Sequence, residues 1–164
     1  MDNKQFKELI PYLIIIIVVI LVKSFIVTPI RVNGASMYYT LHDKDIMLLN
    51  KTKYKLKKIE RFDIVVIKYQ NEYIIKRVIG LPGEKVSYSS GMLYINDKPV
   101  KEKFYHGETA DFEDVKLKKN EYFVMGDNRP HSQDSRIIGP VNIKDILGHA
   151  TFTIYPFNRF GNKK

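Results

Sequence analysis

There is no cysteine in these 164 residues. That excludes disulfides, a thiol nucleophile, a cysteine transpeptidase of the sortase kind and thiolate-ligated zinc, and it leaves the redox compartment open. Other signatures are missing too. No His-Glu-x-x-His pair offers a zinc site, no glycine-rich loop ends in Lys-Ser or Lys-Thr to cradle phosphate, and no Gly-x-Ser-x-Gly elbow presents a serine. The four histidines, His42, His106, His131 and His149, sit in no recognisable triad motif. There are no internal repeats and no low-complexity linker. Outside one N-terminal stretch there is little helical periodicity.

That stretch is the single long apolar run, Ile10 to Val27, 18 positions interrupted only by Pro11, Tyr12, Lys23 and Ser24. It is near the lower limit for a membrane-spanning helix. Pro11 falls in the first turn, where it costs little, and Lys23 lies near one end, where a long side chain reaches the interface. A cleaved leader has a shorter apolar core and a small-residue cleavage site. Here Val27-Thr28-Pro29-Ile30-Arg31 follows, so the expectation is a retained anchor at 10–28, a short tail at 1–9 and one domain at 29–164. Charge does not orient the span, because Lys4 and Lys7 face Lys23 and Arg31 across it. The net charge of +9 favours anionic partners: a membrane surface first, nucleic acid second, or no specific partner at all.

Beyond Pro29 the pattern is short, apolar and β-like. Strands are expected at 45–49, 63–69, 72–79, 121–125 and 148–155, with a small meander over 86–100 and turns at Gln70-Asn71 and Leu81-Pro82-Gly83-Glu84. Residues 51–61 read as a basic connection, 101–115 as a loop, 137–141 as a further strand and 142–147 as one helical turn. The fold class is mainly β, an antiparallel sheet domain.

Three stretches carry candidate chemistry. Asn33-Gly34-Ala35-Ser36-Met37 puts a hydroxyl on a small-residue loop just past the anchor, where backbone N–H groups can face an oxyanion. In a strand, Lys76 shares a face with Ile74 and Val78 while Arg77 points the other way. An ammonium in an apolar row loses its proton more easily; the same pattern also suits an edge-strand lysine that blocks aggregation. Gly126 to Arg136 is dense in turn formers and paired charges, with Asp127, Ser132, Asp134 and Arg136 able to lock a loop through Arg–carboxylate forks. Its Asp/Asn spacing misses the calcium-loop pattern, and Arg129 and Arg136 oppose a cation. No metal site is expected.

Taken in order, these motifs resemble a family. Gly34-Ala35-Ser36-Met37 with Thr40-Leu41, then Asp45-Ile46, Arg61 with Asp63-Ile64-Val65-Val66, Lys76 to Glu84, and Gly126-Asp127-Asn128-Arg129 with Ser132, Asp134-Ser135-Arg136 and Gly139 are similar to bacterial type I signal peptidases, in their compact Gram-positive-like form. The resemblance covers nearly the whole chain. It implies a membrane-anchored serine endopeptidase that removes signal peptides after Ala-x-Ala, with Ser36 as nucleophile and Lys76 as general base. It implies that Ser132 orients Lys76, and that Arg77, Asp127, Asp134 and Arg136 form a supporting charge network. Val32, Gly34, Leu41 and Ile74 match substrate-binding positions, and Gly34 stands where some members carry a second hydroxyl donor. It implies no cofactor, preprotein signal peptides and membrane lipid as partners, no nucleic acid, a monomer, and an extracytoplasmic domain on a single span at the cell membrane. Two departures stand out. Tyr39 occupies a position where the family usually has Pro. Phe62 occupies one where it usually has Gly, and is expected to exclude the positive φ that Gly allows. Two alternatives remain. Self-cleaving repressors share the Ser–Lys pair on a related β fold but carry a DNA-binding helical domain. A catalytically inactive membrane-tethered β module would serve as a binding or assembly partner, with no need of that pair.

Overall fold

The computed structural model describes residues 3–52, 58–104 and 107–163, and within the N-terminal helix it describes side chains from Glu8 to Ile20. Asp2, Lys53, Lys55, Lys57 and His106 lie outside the described residues. Helix α1 (Asn3–Phe25) covers most of the apolar run. Every described apolar side chain on it, from Leu9 to Ile20, is at least 42% exposed. Among the described residues no helix is long and apolar enough to cross a membrane. The helix stops short of the expected boundary at 28. Strand β1 (Val27–Arg31) begins inside the apolar run, because Val27 and Thr28 already pair with Asn50 and Leu49 of β2 (Ile46–Asn50). Pro29 fits there, since its fixed φ suits extended backbone on an outer strand.

Among the described residues ten further strands follow: β3 (Ile64–Tyr69), β4 (Glu72–Gly80), β5 (Lys85–Ser89), β6 (Met92–Ile95), β7 (Lys98–Val100), β8 (Phe112–Lys116), β9 (Glu121–Met125), β10 (Val141–Asn142), β11 (Ile146–Tyr155) and β12 (Gly161–Asn162). The larger sheet runs β1-β2-β11-β3-β4-β9-β10, with β12 also on β11; the smaller runs β7-β6-β5-β8. All pairings are antiparallel.

The centre of the large sheet is apolar on both faces, which is why β3 and β9 read as unbroken apolar runs without alternation. Ile64 and Val66 enter one cluster with Val32, Met37, Leu41, Met47, Leu49 and Ala150. Val65 and Ile67 enter another with Val78, Tyr122, Val124 and Val141. A third cluster, around Ile79, Tyr88, Leu93, Phe123 and Met125, joins the large sheet to the small one.

Two expectations are corrected here. Residues 101–115 are not all loop: Phe112 to Lys116 pairs with β5, and Phe112 and Val115 pack against the third cluster. Residues 137–140 are not in a strand; of the expected 137–141 only Val141 is, as the start of β10. Ser135–Ile138 forms one helical turn, α2, because the Asp134 side chain caps it by accepting from the Arg136 N–H, and Gly139 at φ +79° ends it.

Candidate active site

The Ser36 loop is held by its neighbours on both sides. Met37 and Leu41 are buried in the first cluster. Gly34 sits at φ +89°, and its N–H donates to Asp43 at 2.9 Å. The carbonyl of Ser36 accepts from the Asn128 N–H at 3.0 Å, and the carbonyl of Ala35 accepts from the Asn128 side chain at 3.0 Å. The loop after β9 thus grips the nucleophile candidate through its backbone and leaves the hydroxyl free to react.

Lys76 comes from β4, opposite Val65 in the β3–β4 ladder. It is 3% exposed, and its Nζ lies 2.7 Å from Ser36 Oγ. Burial is the main reason its pKa falls from the usual lysine value to about 8. The charges of Asp134 and Asp127 push it back up, while that of Arg136 pushes it further down.

Both acidic groups are neutralised by guanidinium forks. Arg77 Nε and Nη2 donate to the two oxygens of Asp127 at 2.8 and 2.7 Å, and Thr40 Oγ1 donates to the same carboxylate. Arg136 donates to both oxygens of Asp134 at 2.8 Å and to the carbonyl of Arg129 at 2.7 Å. The Gly126 N–H also donates to Asp134, at 2.9 Å. Burial alone would raise the Asp134 pKa. The hydrogen bonds from Arg136 and Gly126, with the Arg136 charge, outweigh it and hold the carboxyl below the usual range. Gly126 has no room for a side chain, because a methyl there would collide with Ser132 Oγ and the Ser36 carbonyl oxygen.

Arg77 was expected to face away from the apolar row, and it does, but it is 1% exposed rather than solvated. The other half of its shell comes from residues that sequence reasoning passed over. Its Nη1 donates to the Phe62 carbonyl at 2.9 Å, and its guanidinium carbon stands 4.0 Å from the centre of the Phe104 ring. Phe62 corrects an expectation: it does adopt positive φ, at +71°. That conformation costs a bulky residue on the order of 1 kcal/mol. It is offset by a 2.7 Å bond from the Phe62 N–H to the Val78 carbonyl, by the Arg77 bond, and by the packing of its ring on Phe104 at 5.6 Å between centroids.

The connection from β7 to β8 therefore straps the site from outside. Phe104 covers Arg77. Glu102 takes the fork of buried Arg129, whose Nε donates to the Gly126 carbonyl at 3.0 Å, and Thr109 adds a contact at 3.2 Å. Gly107 packs so closely on Pro130 that a methyl would stand 2.6 Å from its Cδ. Nothing local in 101–111 signals this. Within the Gly126–Arg136 stretch two arginines balance two aspartates, and only the claim of Arg77 on Asp127 leaves Arg129 to take a carboxylate from elsewhere.

Two clefts open on the Ser36–Lys76 pair. One, of about 1010 Å³, runs between β1 and the start of β4 and is lined by Ile30, Leu49, Val66, Ile74, Ile75 and Leu147, with Arg31, Lys51, Glu72 and Tyr73 also contributing. The other, of about 440 Å³, is lined by Gly34, Tyr69, Gln70, Glu72, Ile74, His131 and Gln133. Of the four residues expected to bind substrate, Gly34 and Ile74 line these clefts. Val32 and Leu41 do not: both are packed in the first cluster and line neither cleft. Ser132 is buried next to Gly126, and its hydroxyl has no well-formed hydrogen bond, to Lys76 or to any other group. Among the described residues no group of three or more His, Asp or Glu side chains could hold a metal ion.

The same architecture occurs in a solved signal peptidase I from Enterococcus faecalis V583, which aligns with 57% of this chain and 97% of its own at 34% identity and a TM-score of 0.51. That places the chain among the serine peptidases of antiparallel β architecture. Signal peptidase I S of Bacillus subtilis (strain 168) is 39% identical over 158 residues, covering 88% of this chain and 86% of its own. A signal peptidase I of Bacillus amyloliquefaciens is 37% identical over 164 residues, covering 93% and 89%. The family model described as signal peptidase, peptidase S26, matches residues 6–155, and the chain belongs to that family.

The strap has a measurable consequence. Phe104→Ala removes ring contacts and a desolvated cation–π pair, and is expected to cost about 2 kcal/mol in urea denaturation. A cost below about 0.5 kcal/mol would mean that Phe104 merely rests on Arg77.

Proposed function

We propose that this protein removes signal peptides from exported preproteins, with Ser36 as nucleophile and Lys76 as general base. The observation that carries the reading is the 2.7 Å contact between a buried Lys76 Nζ and Ser36 Oγ. A lysine whose pKa is lowered to about 8 is partly neutral at physiological pH and can accept the serine proton.

In the proposed reaction neutral Lys76 takes that proton as Ser36 Oγ bonds to the scissile carbonyl carbon. The oxyanion faces backbone N–H donors of the loop, that of Ser36 first. Gly34 supplies no hydroxyl, so the backbone carries this task. The C–N bond breaks, and the nitrogen leaves with the proton that Lys76 held. Water then adds to the ester with Lys76 again as base, the C–Oγ bond breaks, and the proton returns to Ser36. Arg77, Asp127, Asp134 and Arg136 act by fixing and neutralising the surroundings of Lys76, and Ser132 by bounding them. No cofactor enters.

The acyl half of the substrate is proposed to lie in the larger cleft. From Glu72 to Lys76, β4 pairs with β3 on one side, and its recorded pairing with β9 starts only at Arg77. An extended peptide can add there as a strand, offering alternate small side chains to Ile30, Ile74 and Ile75, which fits Ala-x-Ala. Helix α1 is proposed as the single-pass anchor, at 10–28 with its last residues already in β1. It leaves residues 1–9 cytoplasmic and the domain, 29–164, extracytoplasmic against the lipid as a monomer. Its apolar side chains are exposed on every described face, as a lipid-facing helix requires.

Two tests follow. Cleavage of an Ala-x-Ala preprotein by the detergent-solubilised protein is expected to be lost in Ser36→Ala and in Lys76→Met, by at least about a thousandfold, with both variants folded; cleavage by Lys76→Met would place the base elsewhere. The pH dependence of kcat/KM is expected to climb to a plateau with its midpoint near the Lys76 pKa of about 8, so that only about a tenth of the enzyme is competent at pH 7. Stability carries the matching sign. The unfolded chain binds more protons than the native one between pH 8 and the ordinary lysine range, so the Lys76 cost is full below pH 8 and shrinks as pH rises. Lys76→Met is therefore expected to melt no lower than wild type at pH 7.

A further inference from the structure

The two clefts that meet at Ser36 and Lys76 differ in chemistry. A substrate acylating Ser36 runs away from the scissile bond in two directions, so it needs both. The larger cleft, floored by Ile30, Leu49, Val66 and Ile75, suits the acyl half. The smaller lies between the β3–β4 turn, which gives Tyr69, Gln70 and Glu72, and the loop after β9, which gives His131 and Gln133. Apart from Gly34, Ala35 and Ile74 its walls carry polar side chains. Among the described residues that line it, the formal charges are Lys76, on the reacting atoms, and the carboxylate of Glu72.

This wall is fixed to the nucleophile and does not drift with the surface. Asn128 donates from its backbone to the Ser36 carbonyl and from its side chain to the Ala35 carbonyl, both at 3.0 Å. His131 Nδ1 stands 3.3 Å from Asn128 Oδ1. The same residue that holds Ser36 thus also holds the far side of the small cleft, so a group bound there has a set distance from the scissile carbonyl.

We propose that the small polar cleft binds the first residues after the cut, the half of the substrate that leaves as an amine, and that Glu72 makes it favour a basic side chain over an acidic one. The proposal rests on the Ser36–Lys76 reading. A unit charge several ångströms away, half in solvent, amounts to a discrimination of about fivefold in kcat/KM, and the preference falls as salt is added.

The test uses the full chain in detergent and three substrates with the same Ala-x-Ala acyl half: a peptide with Lys after the cut, one with Asp there, and the methyl ester, which has nothing to place in the small cleft. Wild type is expected to prefer the Lys peptide about fivefold. Glu72→Gln is expected to abolish that preference and Glu72→Lys to reverse it. Gln133→Ala is expected to slow both peptides. Each effect is read as the ratio of peptide to methyl-ester kcat/KM, so that any part acting through the larger cleft divides out. Because Glu72 also borders the larger cleft, the ester decides where it acts. If the Glu72 variants slow ester and peptides alike, or if the preference survives Glu72→Gln, the assignment is overturned while the catalytic reading stands. If wild type hydrolyses neither ester nor peptide, the Ser36–Lys76 reading fails and takes this inference with it.

Discussion

The burial of one ammonium organises this molecule. A lysine in water is a cation and no base. To be useful beside Ser36, Lys76 must lose solvent without gaining a counter-ion that would hold its proton. Two carboxylates, Asp127 and Asp134, lie close enough to raise its pKa, and left alone they would do so. Each is instead clamped by its own guanidinium, Arg77 or Arg136, through paired short hydrogen bonds. The charge network is a way of keeping anions near Lys76 electrically quiet while their hydrogen-bonding capacity is used to fix the loop that carries them.

That solution creates a second problem, the desolvation of two arginines. Arg77 and Arg129 are buried, and a buried guanidinium with unsatisfied N–H groups is costly. The β7–β8 connection answers with a ring for Arg77 and a carboxylate for Arg129. The carbonyl of Phe62, turned inward by its positive φ, takes another Arg77 donor. The small sheet thereby contributes to the site through Phe104 and Glu102, which touch the arginines. The clefts beside Ser36 and Lys76 are lined instead by β1, β4, the β3–β4 turn and the 131–133 loop.

Much of this was legible in the residues. The β3–β4 hairpin follows from two apolar runs across Gln70-Asn71, and the neighbourhood of Ser36, Lys76 and the Gly126–Arg136 stretch follows from their ordered resemblance to one family. What escaped has physical causes. Alternation along β4 separates Lys76 from Arg77 by face but cannot say that both faces are covered, so the burial of Arg77 is not legible there. Phe62 was judged on intrinsic φ preference, which three local interactions override. Val32 and Leu41 match pocket positions in sequence, yet packing with Met37 and Met47 turns them into the core. Phe104 and Glu102 lie in a polar stretch without periodicity, where tertiary contact alone gives a residue its role. Residues 137–141 were apolar enough for a strand, but the Asp134 cap won locally.

The central claim concerns a single proton, and it can be read directly. With lysines labelled at 13Cε, and the Lys76 resonance identified by its absence from Lys76→Met, titration of the folded protein should give Lys76 a midpoint near 8. A Lys76 midpoint in the ordinary range, near 10.5, would mean that burial beside Ser36 does not free the nitrogen to act as a base.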